Sequence, residues 1–161
     1  MVHMLIGIQG SGKTTFANEF AKNNNCLIAS TDYVRKNMKE IPESEVFPTV
    51  YKLIAEAIKN NQDIIYDATN ITPNVRKRFF DEVGKHNVTP EVIAYYFDTD
   101  VMECFKRVKI RNTIEGELYL PEEVVFSYNE KIVRPTLEEG FKRIKIVKNG
   151  TIVATIETVE E

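Results

Sequence analysis

Several features that would assign this sequence to other classes of protein are absent or scarce. No apolar run approaches the roughly 20 residues that a membrane-spanning helix needs, and the N-terminus does not have the layout of a signal peptide. The two cysteines, Cys26 and Cys104, do not have the spacing of metal ligands, so we expect reduced thiols in a cytoplasmic protein. A net charge of −3 argues against a protein that holds long nucleic acid by bulk electrostatics. The chain has no repeat and no low-complexity linker, which predicts a single domain over residues 1–161.

The most informative segment that is present lies near the start of the chain. Residues 7–14 match the phosphate-binding loop pattern G-x-x-x-x-G-K-S/T at every fixed position. In this pattern, backbone N–H groups surround the phosphates of a nucleotide, the lysine reaches the terminal phosphates, and the hydroxyl group binds Mg²⁺. An apolar run precedes the loop and a helical pattern follows it, which disfavours the alternative of an ordinary glycine-rich turn. The predicted residues of this nucleoside triphosphate site are Gly10, Ser11, Gly12, Lys13, Thr14 and Thr15, with Lys13 also catalytic.

Short apolar runs alternate with helical patterns along the chain, and this alternation predicts a three-layer α/β fold with a parallel sheet. The predicted strands are residues 4–6, 26–29, 63–67, 91–97 and 143–147. The predicted helices are residues 15–21, 33–39, 50–58, 73–85, 100–111 and 121–135. Asn149-Gly150 is typical of a two-residue hairpin turn, so a C-terminal hairpin strand is expected over residues 151–155.

Three aspartates follow predicted strands, at the sheet edge where open parallel sheets bind ligands. Asp32 lies three residues before Arg35, so the pair is either a general base beside a phosphate-binding arginine or a plain helix cap beside a surface arginine. Asp67 is either a Mg²⁺ ligand together with Thr14 or a turn residue that ends its strand. Asp98 is interpreted as part of a turn and helix cap.

The sequence contains two groups of basic residues that could contact phosphates. Arg107 and Arg111 lie four residues apart on one helix, just before residues 112–120, which are predicted to be flexible. These arginines either fold over the nucleotide phosphates, where they neutralise charge that develops during transfer, or remain in solvent. The basic run at residues 76–78 is interpreted as a solvated helix face, with a contact to nucleic acid as the alternative.

Taken together, these segments resemble the polynucleotide 5′-hydroxyl kinase family and the P-loop kinases closest to it. The resemblance covers nearly the whole chain and depends on the order of several motifs. These motifs are Gly-Ser-Gly-Lys-Thr-Thr at 10–15, D-x-x-R from Asp32 to Arg35, Asp-Ala-Thr-Asn at 67–70 followed by Pro73 and Arg76, the pair Arg107 and Arg111, Leu-Pro-Glu-Glu at 120–123, and Pro-Thr-Leu-Glu-Glu-Gly-Phe at 135–141.

The resemblance implies a role for each matching residue. It implies that Asp32 is the general base for the acceptor hydroxyl and that Arg35 contacts a phosphate of the acceptor. It implies that Arg111 stabilises the transferring γ-phosphoryl group. Asp67 and Asn70, at the two ends of their motif, are further candidates for substrate binding, and Arg107 is a candidate for nucleotide binding.

The resemblance also implies a P-loop NTPase fold, with a five-stranded parallel sheet of the adenylate-kinase type and a helical lid at about residues 107–124. The function it predicts is transfer of the γ-phosphate of ATP, with Mg²⁺, to a hydroxyl group, and the favoured acceptor is the 5′-hydroxyl end of RNA or DNA. A small-molecule kinase acting on a nucleoside, modified nucleotide or polyol is the alternative. A nucleotide-binding switch is disfavoured because the sequence has no N-K-x-D base-recognition motif.

Overall fold

The computed structural model describes residues 1–159 and is built around one six-stranded sheet. The strands are β1 (Val2–Ile6), β2 (Leu27–Ser30), β3 (Ile64–Asp67), β4 (Val92–Phe97), β5 (Arg143–Lys148) and β6 (Thr151–Glu157). The helices are α1 (Lys13–Asn24), α2 (Thr31–Asn37), α3 (Val46–Lys59), α4 (Pro73–Gly84), α5 (Val101–Arg111) and α6 (Val124–Lys131), with short 3-10 helices at Glu43–Glu45 and Leu137–Glu139.

The strand order across the sheet is β2-β3-β1-β4-β5-β6. The first five strands in this order run parallel, and β6 pairs antiparallel with β5 through the hairpin at Asn149 and Gly150. The α/β class is therefore confirmed. The sheet has six strands where the resemblance implied five, because the hairpin strand joins the same sheet and makes it mixed rather than wholly parallel.

Apolar side chains cover both faces of the central strands. On one face of the sheet, Leu5 of β1 packs in a cluster with Ala17 of α1. On the other face, Met4 packs in a larger cluster with Ile54 of α3 and Phe79 of α4. Because the central strands are buried on both sides, they appear in the sequence as continuous apolar runs and not as alternating ones.

One predicted helix is shorter in the structure than its sequence pattern suggested. Residues 121–123 form a turn in which Val124 N–H donates to the carbonyl of Pro121 at 3.0 Å, and α6 begins only at Val124. The helix ends at Lys131 because Ile132 is extended, with ψ of 132°. Within the described part of the chain, none of the helices combines the length and the apolar character needed to cross a membrane.

A buried ion pair connects α4 to the segment that precedes β5. Arg76 is fully buried, and its guanidinium donates to both carboxylate oxygens of Glu139, at 2.7 and 3.2 Å. It also donates to the carbonyls of Asn70, at 2.9 Å, and Val133, at 3.0 Å. The prediction of a solvated face at residues 76–78 is therefore wrong for Arg76, although its two neighbours are exposed.

Candidate functional site

The phosphate-binding loop joins β1 to the first turn of α1, and its shape requires glycine at two positions. Gly10 and Gly12 have φ of 76° and 98°, in the left-handed region that other residues avoid. A Cβ atom on Gly10 would lie 2.5 Å from the carbonyl oxygen of Cys104, so the loop also packs directly against the backbone of α5. The loop leads directly into the N-terminus of α1, where free N–H groups favour a bound anion.

The other predicted residues of the loop take two kinds of position. Ser11 is buried, and its carbonyl accepts a hydrogen bond of 2.9 Å from the hydroxyl of Thr99. Thr14 and Thr15 are exposed on the first turn of α1. The loop is thus anchored from below, and of its two threonines Thr14 directs its hydroxyl inward to Asp67.

Lys13 and Asp67 form the buried charged centre of the site. The Nζ atom of Lys13 donates to the carbonyl of Ile8 at 2.9 Å, so the ammonium lies folded over its own loop. Burial lowers the pKa of Lys13, while the charge of Asp67 raises it. Burial raises the pKa of Asp67, which is opposed by the charge of Lys13 and by a hydrogen bond of 3.0 Å that Thr14 Oγ1 donates to Asp67 Oδ2.

The pair of oxygen atoms from Thr14 and Asp67 is suited to a hard cation. Mg²⁺ usually takes one or two protein oxygens and completes its shell with water and substrate phosphates. Among residues 1–159, no group of three or more His, Cys, Asp or Glu side chains forms a larger metal centre. This donor set therefore fits Mg²⁺ held jointly with a nucleotide better than it fits a metal held by the protein alone.

Asp32 lies on the first turn of α2, at the carboxyl end of β2. Ser30 is the residue that caps this helix, accepting a hydrogen bond of 3.2 Å from the backbone N–H of Tyr33. The Asp32 side chain is 68% exposed and contacts Arg35 Nη1 at 3.1 Å. Asp32 is therefore not the helix cap, and its carboxylate faces solvent beside the arginine.

Arg35 is held in place by several contacts at once. Its Nε and Nη2 atoms donate to the carboxylate of Glu43 at distances from 2.8 to 3.2 Å, and its guanidinium lies 5.8 Å from the centre of the Phe47 ring. The hydrogen bond from Arg35 lowers the pKa of Glu43. Glu43 was not a candidate in the sequence analysis because it lies in an irregular segment with no recognisable motif.

The two arginines of α5 approach the site from the opposite side. Arg107 Nη1 donates to the carbonyl of Gly10 at 3.1 Å, and its Nε donates to Glu103 at 3.3 Å. Arg111, one turn later, is partly buried at the end of α5. Arg107 therefore lies directly on the phosphate loop.

Asp32 and Arg111 both lie near the sheet edge that holds Asp67 and the loop: Asp32 comes two residues after Ser30, which pairs in register with Asp67, and Arg111 lies one turn after Arg107, which contacts the Gly10 carbonyl. In addition to the larger effect of burial, the charge of Asp32 raises the pKa of both Lys13 and Asp67, and the charge of Arg111 lowers both. Residues from α1, α2, β3 and α5 therefore lie at one edge of the sheet.

Asn70 and Asp98, which the sequence also placed after strands, make their contacts with other parts of the chain. Asn70 is 1% exposed, with φ of 47°, and its side-chain amide donates to the carbonyl of Leu5 at 2.9 Å. This contact ties the Asp-Ala-Thr-Asn motif to β1 and gives no support to the predicted substrate-binding role. Asp98 pairs with Arg134 at 3.3 Å and Lys148 at 3.4 Å, while Asp100 caps α5.

Residues 112–123 connect α5 to α6 and cross toward α2; they are the central part of the predicted lid, and we call them the lid segment. The side-chain amide of Asn112 accepts a hydrogen bond of 3.0 Å from the N–H of Leu120 and donates to the carbonyl of the same residue. Glu117 forms an ion pair of 3.2 Å with Lys36 of α2. Beneath the segment, Val108 of α5 packs in an apolar cluster with Val125 of α6.

This fold and this loop define a nucleotide-binding P-loop protein of the kinase type. The profile of the AAA domain family matches residues 2–135, and the chain belongs to that family. The resemblance to P-loop kinases is thereby confirmed at the level of family and fold. No curated protein is similar enough in sequence to match.

Solved structures extend the comparison of the fold. A gluconokinase from Sinorhizobium meliloti 1021 is 15% identical, with 91% of this chain and 81% of that chain covered and a TM-score of 0.57. Kti12 from Chaetomium thermophilum, in complex with ADP-AlF3, is 15% identical, with 92% and 89% covered and a TM-score of 0.61. The Pnkp1/Rnl/Hen1 complex contains a chain 22% identical, with 66% of this chain and 38% of that chain covered and a TM-score of 0.56. At these identities the likeness shows a shared fold alone.

Proposed function

We propose that the protein is a phosphotransferase that moves the γ-phosphoryl group of ATP to a hydroxyl group of an acceptor. The observation that carries this proposal is the position of a carboxylate on α2 and a guanidinium on α5 around the Lys13–Asp67 pair. Asp32 comes two residues after Ser30, the sheet partner of Asp67, and Arg111 lies one turn after Arg107, whose guanidinium contacts the loop. A nucleotide-binding module without a chemical step would need neither group at this position.

The roles follow from the chemistry of each group. The N–H groups of the loop and the ammonium of Lys13 bind the phosphates, and Arg107 adds a guanidinium beside the loop. Asp32 accepts the proton of the acceptor hydroxyl, whose oxygen forms a bond to the γ-phosphorus as the bond to the β-phosphate oxygen breaks and ADP leaves. Arg111 stabilises the negative charge on the phosphoryl group during transfer.

Thr14 and Asp67 are the residues that would hold Mg²⁺. When bound, the cation neutralises charge on the nucleotide phosphates. The protein's own contribution is to hold the two oxygen atoms 3.0 Å apart and partly shielded from water.

Two classes of acceptor are supported by different observations. The 5′-hydroxyl end of RNA or DNA is supported by the ordered motifs of the polynucleotide kinase resemblance. A small hydroxyl compound is supported by the contacts of Arg35, whose guanidinium already binds two carboxylates. Salt dependence separates the classes, because an acceptor held through several phosphates loses affinity steeply as salt concentration rises and a neutral one does not.

The assignment of the general base is tested with Asp32→Asn. We expect turnover to fall by at least about a hundredfold while ATP affinity stays close to normal. Acceptors are screened with γ-³²P-labelled ATP across 5′-hydroxyl oligonucleotides, nucleosides and small polyols. Asp98→Asn is the matched control, because Asp98 also follows a strand but pairs away from the site. Full activity of Asp32→Asn on the best acceptor would refute the assignment.

A further inference from the structure

The guanidinium of Arg35 is already bound to two carboxylates, and these contacts affect which acceptor it can bind. Glu43 receives three of its N–H contacts, at 3.1, 3.2 and 2.8 Å, and Asp32 receives a fourth at 3.1 Å. The bidentate arrangement on Glu43 is the one an arginine forms with a carboxylate or a phosphate. Glu43 therefore takes the place on Arg35 that a phosphate group would otherwise take.

The charges around this position also disfavour an anionic acceptor. Lys36, the other cation at this end of α2, is paired with Glu117 of the lid segment at 3.2 Å. The lid segment, residues 112–123, contains four glutamates and no lysine or arginine. The two cations of α2, Arg35 and Lys36, are thus paired with carboxylates, and the segment that crosses toward them adds negative charge.

We propose that Glu43 is a specificity-determining residue that keeps Arg35 closed to phosphate, so that the acceptor is a hydroxyl compound with no phosphate group beside the reacting hydroxyl. This inference rests on the proposed phosphotransfer and names the acceptor class for it. Glu43 also holds the guanidinium against Asp32, and so fixes the carboxylate that receives the proton. A nucleic-acid end or a nucleotide with a neighbouring phosphate is then the disfavoured acceptor.

The test compares matched acceptors that differ only in a phosphate group: adenosine with adenosine 3′-monophosphate, and glycerol with glycerol 3-phosphate. For each pair, kcat/KM is measured for the wild type, Glu43→Gln and Glu45→Gln. Glu45→Gln is the control, because Glu45 is exposed and lies two residues after Glu43. This substitution removes the same charge as Glu43→Gln but breaks no hydrogen bond to Arg35. The wild type should prefer the phosphate-free member of the pair.

Glu43→Gln should shift the ratio of kcat/KM toward the phosphate-bearing member by about fivefold, the upper end for an exposed ion pair. Glu45→Gln should leave the ratio close to that of the wild type. A wild type that prefers the phosphate-bearing acceptor would overturn the inference and leave phosphotransfer intact. The same shift in both variants would also overturn it, since the effect would then be general charge and not the contact.

A binding measurement decides the question without catalysis. With the phosphate loop filled by saturating ADP, inorganic phosphate is titrated by calorimetry into the wild type and the same variants. Glu43→Gln should bind phosphate about fivefold more tightly, and adding Arg35→Met should abolish the gain. Equal phosphate affinity in Glu43→Gln and the wild type refutes the inference, whereas absence of transfer to any hydroxyl by the wild type refutes the proposed function instead.

Discussion

Replacing Arg76 with methionine should destabilise the protein more than any other single loss of charge on α4. The Arg76 side chain is fully buried, and its partner Glu139 is 16% exposed. The substitution removes four hydrogen bonds; it leaves two carbonyl groups without the guanidinium and leaves the Glu139 carboxylate with only the N–H of Thr136, at 2.8 Å. Breaking a buried pair from one side costs about 3–5 kcal/mol, because the remaining charge is no longer compensated.

A loss of that size is a large part of the about 5–15 kcal/mol by which a domain of this kind is stable. The free energy of unfolding is measured by urea denaturation followed by far-UV circular dichroism. The matched control is Arg78→Met, since Arg78 is an exposed arginine on the same helix and its loss should change stability by no more than about 0.5 kcal/mol. The double variant Arg76→Met with Glu139→Gln should recover part of the loss, because it removes the uncompensated carboxylate.

The reasoning would be refuted by a small effect. If Arg76→Met lowers the free energy of unfolding by less than about 1 kcal/mol, the pair contributes no more than an exposed one. A fall in the m-value together with a small change would instead indicate an altered native state. The expected result is a lower urea midpoint with an unchanged m-value.

Three further perturbations have outcomes that the structure defines. Burial lowers the pKa of His3 from 6.5 to about 4. Between these pH values the folded state binds fewer protons than the unfolded state. Stability should therefore be lost as the pH falls from 6.5 toward 4. The loss is at most about 3 kcal/mol, and urea unfolding of His3→Gln at pH 7 and pH 5 should show a much weaker dependence. Gly10→Ala should reduce ATP affinity at least about tenfold in a calorimetric titration, because the new Cβ would lie 2.5 Å from the carbonyl oxygen of Cys104. Gly116→Ala is the control and should leave ATP affinity unchanged, because Gly116 has a similar φ but no atom within 4 Å of the added Cβ. Lys36→Met, which removes the ion pair to the lid segment, should speed hydrogen exchange of residues 112–123, and unchanged exchange would show that the pair does not hold the segment.

The phosphate loop and the order of strands and helices could be predicted because local sequence determines them. Two glycines with positive φ and the fixed spacing of the loop pattern leave few alternatives, and an apolar run that is too short for a helix indicates a buried strand. The sequence allowed Asp32 to be a helix cap, whereas the structure shows that Ser30 is the cap, with an extended backbone and a hydroxyl that accepts from the Tyr33 N–H. That difference matters for the site because it frees Asp32.

The buried role of Arg76 was missed because charge alone was taken to indicate exposure. A signal was present, since Arg76 lies three residues before Phe79 and seven before Val83, on the helix face that both apolar residues define. Its partner Glu139 lies 63 residues later, and no rule of local spacing links the two. Glu43 had no such signal, because its contact with Arg35 depends on how an irregular segment folds back onto α2.

The side chain of Asn112 holds the backbone of Leu120 by two hydrogen bonds and so closes the loop formed by residues 113–119. One side chain fixes both ends of the intervening stretch. Insertions, deletions or exchanges between these anchors would change what an incoming molecule meets without moving α5 or α6. The loop between Asn112 and Leu120 is therefore the place to introduce sequence changes when this protein is redesigned to accept a different molecule.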